Sequence, residues 1–195
     1  MEFALVLPML LVMLLGIADF GRVFAAGIVL EAAARNAAEA AAQEYLQQAR
    51  NSPTLDALAY QRIHEVALEE VCREAERLPG EVDDGDGICE MPLASVCVHD
   101  LPADPGDLTP PPGDPFCGGE AGLAPQPGCS EFVSEGWSTF KSSGNPEDLA
   151  YVEVRVCYRF TTIIDLTAVR LPFGWDISIG EVWLQRDRSF TVADY

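Results

Sequence analysis

Glu2-Phe3-Ala4-Leu5-Val6-Leu7-Pro8 opens the chain, and Gly16-Ile17-Ala18-Asp19-Phe20-Gly21-Arg22-Val23-Phe24 follows a short distance on. The sixteen residues 3–18 carry no charge, and 23–30 are apolar again after Asp19 and Arg22. No Gly-Pro stop follows, only an alanine-rich run to Arg50. The pattern predicts one helix over 3–50, about 70 Å long at ~1.5 Å per residue. Pro8 removes one hydrogen bond from it, so a kink or local unwinding is expected there. Gly16, Gly21 and Gly27 leave flat patches where another helix can approach closely. The run Ala32–Ala34, Ala37, Ala38 and Ala40–Ala42 continues that smooth surface with a strong helix former.

Several readings compete for this segment. A cleaved secretory signal carries basic residues before its apolar core, and here the one early charge is acidic. Val23-Phe24-Ala25-Ala26 offers small residues for a cut, yet the helical pattern runs through it. A plain membrane anchor takes about 20 apolar residues. The block 3–18 is slightly short, and extending it to Leu30 takes in Asp19 and Arg22. Those two stand at i,i+3 on one helix face, where they neutralise each other. A soluble core helix this apolar would need cover on all sides. The favoured reading is a helix held first in a membrane and later packed against copies of itself.

Working outward, 195 residues suit one globular domain plus a protruding helix, here 1–50 and a head at 51–195. All six cysteines, Cys72, Cys89, Cys97, Cys117, Cys129 and Cys157, fall in the head. An even number confined to that part points to disulfides in an oxidising compartment. Proximity in the chain or in paired strands suggests Cys72 with Cys89, Cys97 with Cys157 and Cys117 with Cys129. Zinc is disfavoured, because no C-x-x-C pair occurs and neither His64 nor His99 has a ligand at finger-like spacing. The net charge of −19 is concentrated in 51–150, which alone carries −16. Such a surface repels nucleic acid and anionic headgroups, favours solubility and can attract divalent cations.

Asn51-Ser52-Pro53 ends the first helix, and Ser52 with Pro53 can start a second. Leu55, Leu58, Ala59, Ile63, Val66, Ala67, Val71, Ala75 and Leu78 recur at helical spacing, predicting an amphipathic helix over 54–78. Glu65, Glu69, Arg73 and Glu76 form its solvated face, and Pro79-Gly80 stops it. Asp83-Asp84-Gly85-Asp86-Gly87 resembles the start of a calcium loop. Counting to the twelfth position reaches Ala94 or Ser95, where such a loop needs Glu. A solvated turn is therefore favoured, with Asp83, Asp84 and Asp86 as weak Ca2+ candidates. Residues 99–130 read as loop, since nine of the fourteen prolines lie between 92 and 127.

The last third reads as β-structure. Val152, Val154, Val156, Tyr158 and Phe160 alternate with Glu153, Arg155, Cys157 and Arg159. A second strand is expected over 176–184 with an irregularity near Gly180. Residues 186–192 form a third strand or extend the second past a bulge, and 95–98 a further one. Sequential strands favour an antiparallel sheet, covered by the two helices, in an α+β head. No Gly-x-Ser-x-Gly or Walker pattern is present, and the acidic pairs read as a solvated face, which argues against an enzyme.

The Glu, apolar block, Pro, Gly and Asp-Phe-Gly-Arg steps together resemble the N-terminal signature of TadE-like pseudopilins, in the tight-adherence branch of the type IV pilus superfamily. The resemblance reaches about Gln43 and is only architectural beyond. It implies a structural subunit, cut by a prepilin peptidase and held in the inner membrane. An assembly platform would then extract it into an extracellular filament with copies of itself and other pilins. It implies no nucleic-acid partner and no catalysis. By resemblance Glu2 pairs with the terminal amine of a neighbouring subunit, a sensible role for a carboxylate buried among helices. Phe3, Pro8, Gly16, Asp19 and Arg22 complete the assembly set. In that family a few small residues precede the glutamate, and here only Met1 does. The start of the chain has been lost, or processing differs, or Met1 starts translation and no peptidase acts, which favours the plain anchor. Major pilin, minor pseudopilin and anchored adhesive domain all stay open, the last because the proline-rich loop offers a binding surface.

Overall fold

The computed structural model describes residues 2–51, 55–76, 78, 92–99, 101–102, 117–119, 140–141, 150–162, 169–170, 176–177 and 181–192. Its elements in chain order are α1 (Glu2–Asn51), α2 (Ala57–Ala75), β1 (Leu93–His99), β2 (Leu101–Pro102), β3 (Cys117–Gly119), β4 (Phe140–Lys141), β5 (Tyr151–Thr161), β6 (Val169–Arg170), β7 (Asp176–Ile177) and β8 (Glu181–Thr191).

The expected single helix forms, and it runs through Pro8 without unwinding. One missing ladder bond in fifty residues is tolerated, because the next donor and acceptor on either side still pair. α2 begins later than 54. Asp56 rather than Ser52 is its cap, with Oδ1 accepting from the Ala59 N–H at 2.9 Å. A carboxylate there satisfies an orphan amide and suits the positive end of the helix dipole.

The sheet is antiparallel throughout, in the order β3-β1-β5-β8. Separate two-stranded pairs join β2 to β4 and β6 to β7. Two expectations need correction. Asp176–Ile177 pairs with Val169–Arg170, and the long strand starts at Glu181 and continues through Arg186 to Thr191. The segment read wholly as loop contains β2 and β3, Pro102 included; a strand paired on one side has no use for a second donor edge.

The alternation in β5 is realised as read: Val152, Val154, Val156, Tyr158 and Phe160 face the helices with Ala94, Val96 and Val98 of β1. Over them lie Leu30, Ala34, Ala37, Ala38, Ala41 and Ala42 of α1 and Tyr60, Ile63, Ala67, Val71 and Ala75 of α2. α1 thus belongs to the head's core from Ala26 onward. The alanine stripe brings α1 close to α2, and Asn36 Nδ2 donates to Glu74 Oε1 at 3.0 Å across the seam. Leu58 is the exception in the apolar stripe of α2, standing 73% exposed. Ala41 is fully buried, so Ala41→Leu must force the two helices apart. The expected cost is about 1–3 kcal/mol, read as a lower denaturant midpoint at unchanged m.

Cys72, Cys97 and Cys157 are disulfide-bonded, and no described cysteine is free. The register rules out one expected pairing. Cys157 lies opposite Leu93, whereas Cys97 lies opposite Glu153, four positions along β1. At about 3.4 Å per residue that offset exceeds the ~7 Å reach of a disulfide. Cys97 instead faces Cys117 directly across the β1–β3 ladder.

Candidate assembly interface

Helix α1 has two regimes. Val6, Leu7, Met9–Leu15 and Ile17 are exposed on all sides, and burial begins at Asp19. A helix of such length and hydropathy, from Met9 to Asn51, meets the requirements for crossing a membrane, and only 11% of its most apolar window is buried in the fold. Past Asp19 the helix is two-sided. Asp19, Ala26, Leu30, Ala33 and Ala37 face the head, while Phe20, Phe24 and Ile28 remain exposed on the opposite side.

The two charges inside this apolar stretch are used locally. Arg22 Nη1 donates to Asp19 Oδ1 at 3.1 Å, the mutual neutralisation expected of the i,i+3 pair. Arg22 also lies over the Phe160 ring, 5.1 Å from its centroid, a cation–π contact to the end of β5. Further up, Glu31 holds β8 to the helix. Arg188 Nε donates to its Oε1 at 2.6 Å, and Arg186 Nε stands 3.7 Å from its Oε2. An acid at the start of the alanine run was the available sequence signal for this latch; for Phe160 there was none beyond its place in the strand.

The other assembly residues are placed only in part. Glu2, Phe3 and Pro8 lie on α1, and the positions of their side chains fall outside the described residues. Gly16 and Gly21 face open space, with no atom within 4 Å of an added Cβ, so both flat patches are available to a partner. The patch at Gly27 is already taken, because an added Cβ would stand 3.6 Å from Arg186 Nη2. Cys89, Cys129 and the calcium candidates Asp83, Asp84 and Asp86 lie outside the described residues. Among the described residues no group of three or more His, Cys, Asp or Glu is arranged to hold a metal.

On the far face of the sheet sits a polar cluster that sequence reading missed. His99 ends β1 rather than lying in a loop, is fully buried, and stacks on Tyr151 with centroids 4.2 Å apart. Its Nε2 is 3.2 Å from Glu153 Oε2, and Arg155 contacts the other carboxylate oxygen at 3.0 Å. Burial pushes the Glu153 carboxyl up, but contact with His99 and the charge of Arg155 outweigh it and hold the group below its usual range. A depressed folded value means stability present above the unfolded value of 4.5 and lost as pH falls through the folded one. Glu153→Gln should cost about 1–2 kcal/mol at neutral pH and flatten the acid limb of the stability curve. Urea midpoints compared from neutral to acid pH check this, and parallel curves for the two proteins would contradict it. Among the described residues the cluster ties the end of β1 to β5 through His99, Tyr151, Glu153 and Arg155.

Taken together, a protruding apolar helix continuous with the core of an α+β head defines a stalk-and-head protein, built to be held by its stalk. Residues 1–39 match the family model described as TadE-like protein, a similarity confined to the first part of α1. That is a family of structural, non-enzymatic pilus proteins. No curated protein and no solved structure matches the chain.

Proposed function

We propose that this protein is a structural subunit of an extracellular type IV pilus-like filament of the Tad class. The observation that carries the reading is the bare apolar stretch of α1 from Val6 to Ile17, which coincides with the TadE-like match. A helix with that much exposed apolar surface needs either lipid or other helices around it. It has lipid in the inner membrane before assembly and neighbouring α1 helices afterwards. The open patches at Gly16 and Gly21 suit close helix approach. The acidic head then forms the outside of the fibre. Prepilin peptidase and an inner-membrane assembly platform are the partners this route requires. The register favours a Cys97–Cys117 bridge bracing the β1–β3 edge, which peptide mapping without reductant would test. Calcium at Asp83, Asp84 and Asp86 is a further proposal, tested by calcium titration.

Fibres sheared from cells, imaged by electron microscopy and quantified by mass spectrometry, test the main reading. Dominance of this chain in the fibres makes it the building block. A trace amount makes it a minor pseudopilin that primes or tips the fibre, a role the TadE-like match favours. Complete retention with the membrane leaves a plain anchored domain and defeats the filament reading.

A further inference from the structure

The membrane-held state poses a length problem. Residues 3–18 span about 24 Å, less than the ~30 Å hydrocarbon core of a bilayer. The fold shows how the deficit is met. On one face of α1 the apolar surface does not stop at Asp19, because Phe20 at 73% exposure, Phe24 at 66% and Ile28 at 57% continue it. The charges that break the apolar run point elsewhere. Asp19 is only 9% exposed and is closed by Arg22, which Phe160 covers from the head. On that side α1 itself carries no charge from Val6 to Ile28, and Arg186 of the head reaches it at Gly27. From residue 3 to residue 28 the helix measures about 39 Å, close to the 40–45 Å of hydrocarbon plus interfacial layers. Charge returns on that face at Glu31, one heptad beyond Phe24, and at Arg35, one heptad beyond Ile28, so the apolar stripe ends at Ile28.

We propose that, before assembly, this stripe is seated on the bilayer surface, so that Phe20, Phe24 and Ile28 lie in the interfacial layer. The inference deepens the membrane-anchored reading and rests on it. Continuity with the apolar block selects lipid as the occupant, and so does the point at which charge returns. The topology agrees. The sheet end carrying Phe160 and Val182 is the one beside Arg22, and α1 then passes Arg186 and Arg188 of β8 at Gly27 and Glu31. Phenylalanine and isoleucine on one helix face, backed by a polar head, form the amphipathic pattern that binds within an interface. Asp19 and Arg22 neutralise each other on the side of the helix away from the stripe.

The test uses the full chain in vesicles of phosphatidylethanolamine and phosphatidylglycerol. Single spin labels are introduced through an unnatural keto side chain at Leu10, Phe24 or Gln43, leaving the cysteines untouched. Collision rates with oxygen and with a water-soluble nickel chelate are then compared. The oxygen-to-nickel ratio at Phe24 is expected between the other two, several-fold below Leu10 in the hydrocarbon core and several-fold above Gln43 in water, on the order of an interfacial site. A ratio at Phe24 matching Gln43, with Leu10 still in lipid, overturns this inference and leaves the anchor standing. Water exposure at Leu10 as well overturns both. Shielding of Phe24 from both probes, with dipolar broadening that grows with protein-to-lipid ratio, means a second copy covers the stripe and also overturns the proposal.

Discussion

Phe160→Ala is expected to destabilise the head by about 3–5 kcal/mol, the range for emptying a buried phenylalanine site. Phe160 is 1% exposed, ends the row of core residues on β5 and packs over Arg22. Truncation removes apolar contact and leaves a void at the junction of sheet and stalk. It also strips the cover from the Asp19–Arg22 pair, which then meets water and weakens. Loss of the ring alone accounts for about 0.5–1 kcal/mol at so partly exposed a cation. Phe160→Leu keeps most of the volume and should cost less than about 1.5 kcal/mol. Chemical denaturation of the full chain in detergent micelles, followed by the circular dichroism of the head, separates the two. A Phe160→Ala midpoint equal to that of the parent would mean the junction does not hold the head.

Glu2→Ala is expected to abolish filaments while the protein still reaches the membrane. Glu2 begins α1 immediately before the apolar block, so in a helical bundle its carboxylate would be surrounded by apolar helices. The proposed partner is the terminal amine of the neighbouring subunit. Removing one member of a buried ion pair costs about 3–5 kcal/mol, because the other charge stays buried alone. At about 1.4 kcal/mol per tenfold, that is a loss of some hundred- to thousandfold in each addition step. The folded head should be untouched, since burial on α1 starts at Asp19. Sheared fibre yield and membrane-fraction abundance are the paired readouts. Full-length fibres at parental yield would remove Glu2 from the assembly mechanism, and loss from both fractions would point to a role in insertion instead.

Much of this molecule was legible in its sequence because local physics fixes it. The 3.6-residue pattern defines α2 without reference to anything else, and the strict alternation of Val152 through Phe160 defines a strand with one buried face. The Asp19–Arg22 pair followed from helix spacing alone. Other features depend on partners remote in sequence. Asp176 and Ile177 look like the start of a long strand, yet their partners are Arg170 and Val169, and no local signal distinguishes the two outcomes. Cys97 and Cys157 stand on neighbouring strands, but only the register shows that they are four positions out of step. His99 reads as a loop histidine until β5 brings Tyr151 and Glu153 beside it.

The sequence by itself determined that a long, apolar, uninterrupted helix leads the chain and that an acidic, cysteine-bearing α+β head follows. Those properties arise from composition and short-range periodicity, which act within a few residues. Only the tertiary structure decided which side of that helix the head occupies. The head takes the side bearing Asp19, Leu30 and the alanines, and it leaves Phe20, Phe24 and Ile28 bare. The physical reason is that a helix apolar on every side offers no preferred face of its own. The choice is made by β5 and β8, whose Phe160 meets Arg22 on one flank of the buried stripe and whose Arg186 and Arg188 meet Glu31 on the other.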